Sequence, residues 1–216
     1  MKYDYILFDF DGTLFDTSEG ILKGIRRALE EAGIPVGEDA QLYKFIGPPV
    51  VQALKEFCGM TEEEAQHTKK VYREYYQTQG IWQCRPIDGA EACLQKLTEA
   101  GLTLAVATSK PEPFARSILA RFRFDRYFKA VAGGFLDETR SKKSEVIAAV
   151  IKELGIADLQ RAVMVGDRKY DVLGAQEEGL ACIGLNTGFS EPSELEDAGA
   201  VAVVSSFTDL EKLLLA

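Results

Sequence analysis

Two aspartates lie two residues apart at the end of a hydrophobic segment near the start of the chain. The segment reads Ile6-Leu7-Phe8-Asp9-Phe10-Asp11-Gly12-Thr13. A buried carboxylate is costly unless it is paired, hydrogen-bonded or bound to a metal. Asp9 and Asp11 therefore indicate a site, which could combine a carboxylate nucleophile with an acid that moves a proton. The alternative is that the two side chains only cap a turn.

A second pair of carboxylates follows a later apolar segment. Asp167 and Asp171 are four residues apart, so one helical turn would place them on the same face. Together with Asp9 they form an all-oxygen set of the kind that Mg²⁺ prefers. The sequence thus predicts a magnesium site that draws on both ends of the chain.

Hydroxyl and ammonium groups occur in comparable positions. Thr108 and Ser109 follow a predicted strand over 102–107, and Lys142 and Lys143 precede a predicted amphipathic helix. A cation opposes the helix dipole there by about 0.3–1 kcal/mol, so two lysines indicate an anion bound beside them. A solvated pair is the alternative reading. Lys143 is favoured over Lys142 because it is closer to the start of the helix, but the choice stays open.

The elements that must position these groups change in type along the chain. Residues 3–9 are predicted to form a strand, residues 17–82 have helical spacing, and strands alternate with helices afterwards. Such alternation predicts a parallel sheet with helices on both faces. We expect an α/β fold, with a Rossmann-like core of residues 1–16 and 83–216 and an inserted all-helical cap of residues 17–82. Ligands of such sheets bind beyond the carboxyl ends of the strands.

Composition narrows the range of partners. The formal net charge of −9 disfavours nucleic acid as a ligand, since that binding relies on neutralising phosphates. No apolar run reaches the ~20 residues that span a bilayer. The four cysteines lack metal-ligand spacing and are expected to be reduced packing residues. With no basic-then-apolar leader at the first residues, we expect a cytoplasmic protein.

The chemistry-bearing residues resemble the motifs of the haloacid dehalogenase superfamily of phosphatases. The correspondence is with Asp9 through Thr13 for the first motif, Thr108 for the second, Lys143 or Lys142 for the third, and Asp167 with Asp171 for the fourth. The resemblance covers essentially the whole chain, and the helical block matches the small cap of that family. Many relatives have Lys-Pro at the third motif, where this chain has Lys142-Lys143-Ser144. Finer features, such as Phe45 through Pro49, resemble the phosphoglycolate-phosphatase-like branch.

The resemblance implies a Mg²⁺-dependent phosphomonoester hydrolase that works through an aspartyl-phosphate. Asp9 would be the nucleophile and Asp11 the general acid and base. The metal would be bound by Asp9, the backbone carbonyl of Asp11 and Asp167, with Asp171 acting directly or through water. The phosphoryl group would be held by Thr108, Lys143 (or Lys142) and amides around Gly12 and Ser109.

The cap of such an enzyme would close over the substrate, with Gly47, Pro48 and Pro49 as its substrate-facing turn. An ordinary helix terminator is the alternative for that turn. A small phosphorylated metabolite such as phosphoglycolate is the expected substrate, and a monomer or weak homodimer is the expected state. A nucleoside 5′-monophosphatase and a sugar phosphomutase are the alternatives. A non-catalytic binding module is disfavoured, because a binder would not need both Asp9 and Asp11.

Overall fold

The chain folds into two compact units. A computed structural model describes residues 2–137 and 139–216, with Ala40 described by its backbone alone. One unit comprises Met1–Phe15 and Pro86–Ala216, and the other comprises Asp16–Arg85. The predicted α/β class, with a parallel sheet and an inserted helical segment, is confirmed.

The larger unit is built on a six-stranded parallel sheet. Its strands are β1 (Tyr5–Phe8), β4 (Thr103–Pro111), β5 (Phe128–Gly134), β6 (Ala162–Gly166), β7 (Ala181–Leu185) and β8 (Ala202–Val204). Their spatial order is β5-β4-β1-β6-β7-β8. Strand β1 pairs in parallel with β4 on one side and with β6 on the other, so the carboxyl ends of the three central strands lie at one edge. Two further short strands, β2 (Phe15–Asp16) and β3 (Arg85–Pro86), pair with each other.

Helices α4 to α9 belong to the same unit. They are α4 (Ala90–Glu99), α5 (Glu112–Phe122), α6 (Lys143–Leu154), α7 (Lys169–Glu177), α8 (Glu194–Asp197) and α9 (Phe207–Leu215). The apolar face predicted for α6 is buried against the sheet, where Ile147 and Val150 are completely covered. Burial of such a side chain contributes about 1.5–3 kcal/mol. Because this packing fixes α6, it also fixes the amino terminus of α6, where the two lysines lie.

The smaller unit is helical. It contains α1 (Ser18–Glu31), α2 (Val50–Cys58) and α3 (Glu62–Thr78), with 3₁₀ turns at Asp39–Phe45 and Gly80–Trp82. Helix α3 begins with a capping box in which Thr61 and Glu64 satisfy each other's backbone N–H groups. None of the described helices combines the length and hydrophobicity that crossing a bilayer requires.

Strand β4 is longer than the sequence indicated. We expected it to end at residue 107, but it continues to Pro111, where a shifted register keeps it paired with Gly134 of β5. Thr108 therefore lies within the strand rather than after it. Thr108 and Lys110 are both buried in this last part of β4.

Candidate active site

Three carboxylates meet at the carboxyl edge of the sheet. Asp9 follows β1, Asp167 follows β6, and Asp171 lies in the first turn of α7. One oxygen from each lies within 4.8 Å of the others, and all three residues are at most 4% exposed. The structure thus brings together two regions that are far apart in sequence.

Asp167 is held close to the loop of the first two aspartates. Thr13 Oγ1 donates a hydrogen bond of 2.6 Å to Asp167 Oδ1. Gly12 has a φ of +83°, and a Cβ at that position would lie only 2.3 Å from Asp167 Oδ2. Glycine is therefore required at position 12 both for its backbone conformation and for this close approach. The Gly12 carbonyl in turn accepts a hydrogen bond from Thr187, a contact that we did not predict.

Lys143, rather than Lys142, enters the carboxylate cluster. Its Nζ lies 2.7 Å from Asp9 Oδ1 and 2.8 Å from Asp171 Oδ1, and it donates a hydrogen bond of 3.2 Å to the carbonyl of Ala107. Lys143 is buried, whereas the neighbouring Lys142 is exposed. The burial of α6 accounts for the difference, since Lys143 is the first helical residue and its side chain points toward the sheet edge.

The pKa values reflect crowding of negative charge. Burial, followed by repulsion from Asp171, raises the pKa of Asp9 above its ordinary value, although Lys143 and a hydrogen bond with Thr108 act in the opposite direction. Burial and the two neighbouring carboxylates raise the pKa of Asp167 well above its ordinary value. Burial lowers the pKa of Lys143, but attraction by Asp171 and Asp9 outweighs it, so the net shift is upward. One ammonium does not balance three carboxylates.

The donor set fits a divalent cation. Asp167 Oδ2 is fully buried and has no hydrogen-bond partner among the described residues. Such an orphaned oxygen beside two further carboxylates is costly in the absence of a compensating cation. An all-oxygen set of this kind suits Mg²⁺. The cluster of acidic groups expected for a metal is thus present.

Asp11 and the second-motif residues lie at the same edge. Thr108 is buried and its hydroxyl acts to lower the pKa of Asp9, and Ser109 beside it is half-buried. Asp11 Oδ1 lies 2.8 Å from Nζ of Lys110, a buried lysine to which we had given no role. Sequence reasoning missed Lys110 because it ended the strand at residue 107, whereas the strand continues to Pro111.

A buried ion pair braces the loop that carries Asp167. Arg168 Nε lies 2.9 Å from Glu194 Oε1, and both side chains are less than 10% exposed. The same oxygen accepts a hydrogen bond from the backbone N–H of Lys169. Glu194 belongs to the four-residue helix α8, which is too short to be evident from sequence periodicity.

The turn predicted to face the substrate lies in the helical unit. Gly47, Pro48 and Pro49 directly precede α2, and Gly47 has a φ of +103°. Pro48 is buried and its two neighbours are half-buried. Their part in substrate selection remains a prediction.

A model of the "Haloacid dehalogenase-like hydrolase" family matches residues 6–185, which is most of the chain. The chain belongs to this family. A solved structure of a predicted phosphatase from Clostridium acetobutylicum has a TM-score of 0.96 and 40% identity, and the match covers 100% of this chain and 99% of that one. This family member is a phosphoric monoester hydrolase.

Several curated relatives of this hydrolase carry more specific names. A 5′-nucleotidase of Pseudomonas aeruginosa is 43% identical over 195 residues, covering 90% of this chain and 88% of that protein. The tyrosine-protein kinase PtkA of Mycobacterium tuberculosis is 35% identical over 204 residues, covering 94% and 69%. A phosphoglycolate phosphatase of Agrobacterium fabrum is 30% identical over 196 residues, covering 88% and 83%. A phosphoglycolate phosphatase and a 5′-nucleotidase are thus both among the relatives of this chain.

Proposed function

We propose that this protein hydrolyses the phosphomonoester of a small metabolite, with Asp9 as the nucleophile. The observation that carries the proposal is the placement of a buried carboxylate, Asp9, between a buried ammonium of Lys143 and the hydroxyl of Thr108. A nucleophile needs such neighbours if it is to meet an anionic phosphoryl group. A binding module would not need both Asp9 and Asp11.

We further propose Mg²⁺ as the cofactor. The carboxylates of Asp9, Asp167 and Asp171, with the backbone carbonyl of Asp11, would hold the ion, and the orphaned oxygen of Asp167 supports this assignment. When bound, the ion supplies positive charge that offsets repulsion between the nucleophile and the phosphate dianion. The buried carboxylates at this edge outnumber the cations beside them, and a bound Mg²⁺ would compensate the excess negative charge.

Each of the clustered residues would then have a separate role in the two steps of the reaction. A carboxylate oxygen of Asp9 forms a bond to phosphorus while the bond from phosphorus to the leaving oxygen breaks, which gives an aspartyl-phosphate. Asp11 donates a proton to the departing alkoxide and afterwards removes one from the water that attacks the phosphoenzyme. Lys143, Thr108 and Ser109, with the amide of Gly12, hold the phosphoryl oxygens as charge redistributes.

We propose a nucleoside 5′-monophosphate as the substrate, with phosphoglycolate as the second candidate. The sequence alone led us to expect phosphoglycolate. The 5′-nucleotidase relative shares 43% of aligned residues, however, against 30% for the phosphoglycolate phosphatase, so similarity supports the nucleotide. A sugar phosphomutase shares Asp9 and Asp11, and it would return the phosphoryl group to a second hydroxyl instead of to water.

Phosphate release with Mg²⁺ tests these proposals. We expect nucleoside 5′-monophosphates to give a kcat/KM at least about tenfold above that of phosphoglycolate, a discrimination of about 1.4 kcal/mol. Asp9→Asn should lower turnover by about 10³-fold or more, while Asp125→Asn, a change at an exposed aspartate, should have no effect. A faster reaction with phosphoglycolate would reverse the choice of substrate. Retention of a tenth of the activity by Asp9→Asn would contradict the nucleophile.

A further inference from the structure

Lys110 is fixed to the proposed acid–base residue by a buried ion pair. Its Nζ lies 2.8 Å from Asp11 Oδ1, and the side chains of Lys110 and Asp11 are only 3% and 12% exposed. Burial of a lysine is costly unless its charge is compensated. The pairing at the sheet edge is therefore a built feature of the site, unlike a surface contact between mobile side chains.

Lys110 makes two further contacts besides the ion pair with Asp11. Its backbone N–H donates a hydrogen bond of 3.2 Å to Thr108 Oγ1, and its Nζ lies 5.7 Å from the centroid of the Phe10 ring. Phe10 separates the two aspartates in sequence and is completely buried. Lys110 thus contacts the second-motif threonine, the first-motif aromatic ring and the acid–base carboxylate together.

The two buried lysines of the edge serve different carboxylates. Lys143 lies between Asp9 and Asp171, whereas Lys110 contacts Asp11. Proton transfer requires the acid to stand within about 2.6–3.2 Å of the leaving oxygen, and a misplacement of about 1 Å can cost about 10²-fold in rate. A charge-assisted hydrogen bond from a side chain that is itself fixed restricts rotation of the carboxylate.

We propose that Lys110 is a positioning residue that orients Asp11 for proton transfer to the leaving oxygen. This inference rests on the proposed function, since it assigns Lys110 a part in that same reaction. It also separates Lys110 from residues that hold the phosphoryl group. Loss of a phosphoryl-binding residue lowers the rate of hydrolysis of every ester. Loss of an acid-positioning residue lowers the rate only for esters whose leaving group needs a proton.

Two esters with different leaving groups distinguish these roles. Glycerol 3-phosphate releases a poor alkoxide leaving group, and p-nitrophenyl phosphate releases a stable phenolate. The parameter kcat/KM reports the steps through formation of the phosphoenzyme. For Lys110→Met we expect kcat/KM to fall about 10²-fold with glycerol 3-phosphate and less than about threefold with p-nitrophenyl phosphate. Lys152→Met, at an exposed lysine on α6, should change neither value.

Double substitution shows whether Lys110 acts through Asp11. Asp11→Asn should give the same leaving-group pattern, and Lys110→Met should add less than about threefold to it in the double variant. The thermal unfolding midpoint of Lys110→Met will show whether this variant folds. If it does not fold, Lys110→Gln, which keeps a hydrogen-bond donor, replaces it in the same comparison. We expect a smaller but equally selective loss for Lys110→Gln.

The inference is overturned by equal losses for the two esters, or by losses from Lys110 and Asp11 that multiply in the double variant. Equal losses with a raised KM would assign Lys110 to the phosphoryl group instead. If the unaltered protein releases phosphate from neither ester, from no nucleotide and not from phosphoglycolate, the proposed function fails and the inference fails with it. An active protein whose Lys110 variants are unselective contradicts the inference alone.

Discussion

The ion pairs of the sheet edge and those of the helical unit have similar lengths but very different surroundings. Lys143 Nζ lies 2.7 Å from Asp9 Oδ1, with both side chains about 5% exposed. In the helical unit, Arg26 lies 2.8 Å from Asp39, and these side chains are 33% and 66% exposed. Exposed pairs contribute about 0–1 kcal/mol, whereas breaking a buried pair leaves a charge that costs about 3–5 kcal/mol. Distance alone therefore does not indicate which pairs are functional.

Charge balance separates the two regions further. In the helical unit, the exposed Arg26 is paired with the single carboxylate of Asp39. At the sheet edge, Lys143 faces the three carboxylates of Asp9, Asp167 and Asp171. A region that buries more anions than cations is destabilised by its own charge and is typical of sites that bind a cation or substrate. The contrast predicts three effects of decreasing size.

The largest effect is expected for the two adjacent lysines at the start of α6. Lys143→Met should reduce kcat/KM with any phosphomonoester by about 10²- to 10³-fold, because it removes the buried ammonium that we propose holds the phosphoryl oxygens. Lys142→Met should stay within about threefold of the unaltered protein, because Lys142 is exposed. Steady-state kinetics at saturating Mg²⁺ measure both. Comparable losses from the two variants would show that burial does not separate the functional lysine from its neighbour.

A second effect concerns stability rather than rate. The pKa of Asp167 is raised in the folded protein, so its deprotonation opposes folding. The contribution of Asp167 to the free energy of unfolding is therefore fully present at a pH below its pKa in the unfolded chain. It is lost as the pH rises through the higher pKa of Asp167 in the folded protein. Asp167→Asn removes this charge and retains an acceptor for Thr13. In metal-free buffer it should raise the free energy of unfolding by about 1–2 kcal/mol while reducing activity.

Titration with Mg²⁺ provides the complementary measurement. The unaltered protein should gain about 2.7 kcal/mol in unfolding free energy at a metal concentration of 100 times Kd, and Asp167→Asn should gain much less. Asp125→Asn controls for loss of a carboxylate elsewhere in the same unit. The assignment of the metal site would be wrong if Asp167→Asn were destabilised without metal, or if it gained as much from Mg²⁺ as the unaltered protein.

The acids that cluster at the sheet edge were easier to predict from the sequence than the buried cations beside them. Asp9 and Asp167 lie at the ends of apolar segments, and the cost of burying a carboxylate makes such positions conspicuous. The choice between Lys142 and Lys143 stayed open because it depends on the rotation of α6 about its axis, which packing determines. Lys110 received no role because its orientation depends on how far β4 extends, and that extension follows from pairing with Gly134 of β5.

Some short secondary-structure elements could not be predicted from the sequence. The sheet and the long helices follow from apolar periodicity, which longer segments repeat several times. Helix α8 has four residues, too few to show a period, yet it supplies Glu194 to the buried pair with Arg168. The contact from Thr187 to Gly12 joins positions far apart in sequence. Both contacts depend on tertiary structure.

The smallest effect is expected for an exposed pair of the helical unit. Asp39→Asn removes the partner of Arg26, whose guanidinium keeps a hydrogen bond of 2.9 Å to the carbonyl of Gly37. We expect a loss of about 0.2–1 kcal/mol in 10 mM salt, which corresponds to a shift of about 0.4–4 °C in Tm. At 1 M salt the difference from the unaltered protein should shrink, because salt screens the attraction between exposed charges. A loss above about 2 kcal/mol that persisted at high salt would mean that this pair behaves like the buried pairs of the sheet edge, and the contrast between the two regions would no longer hold.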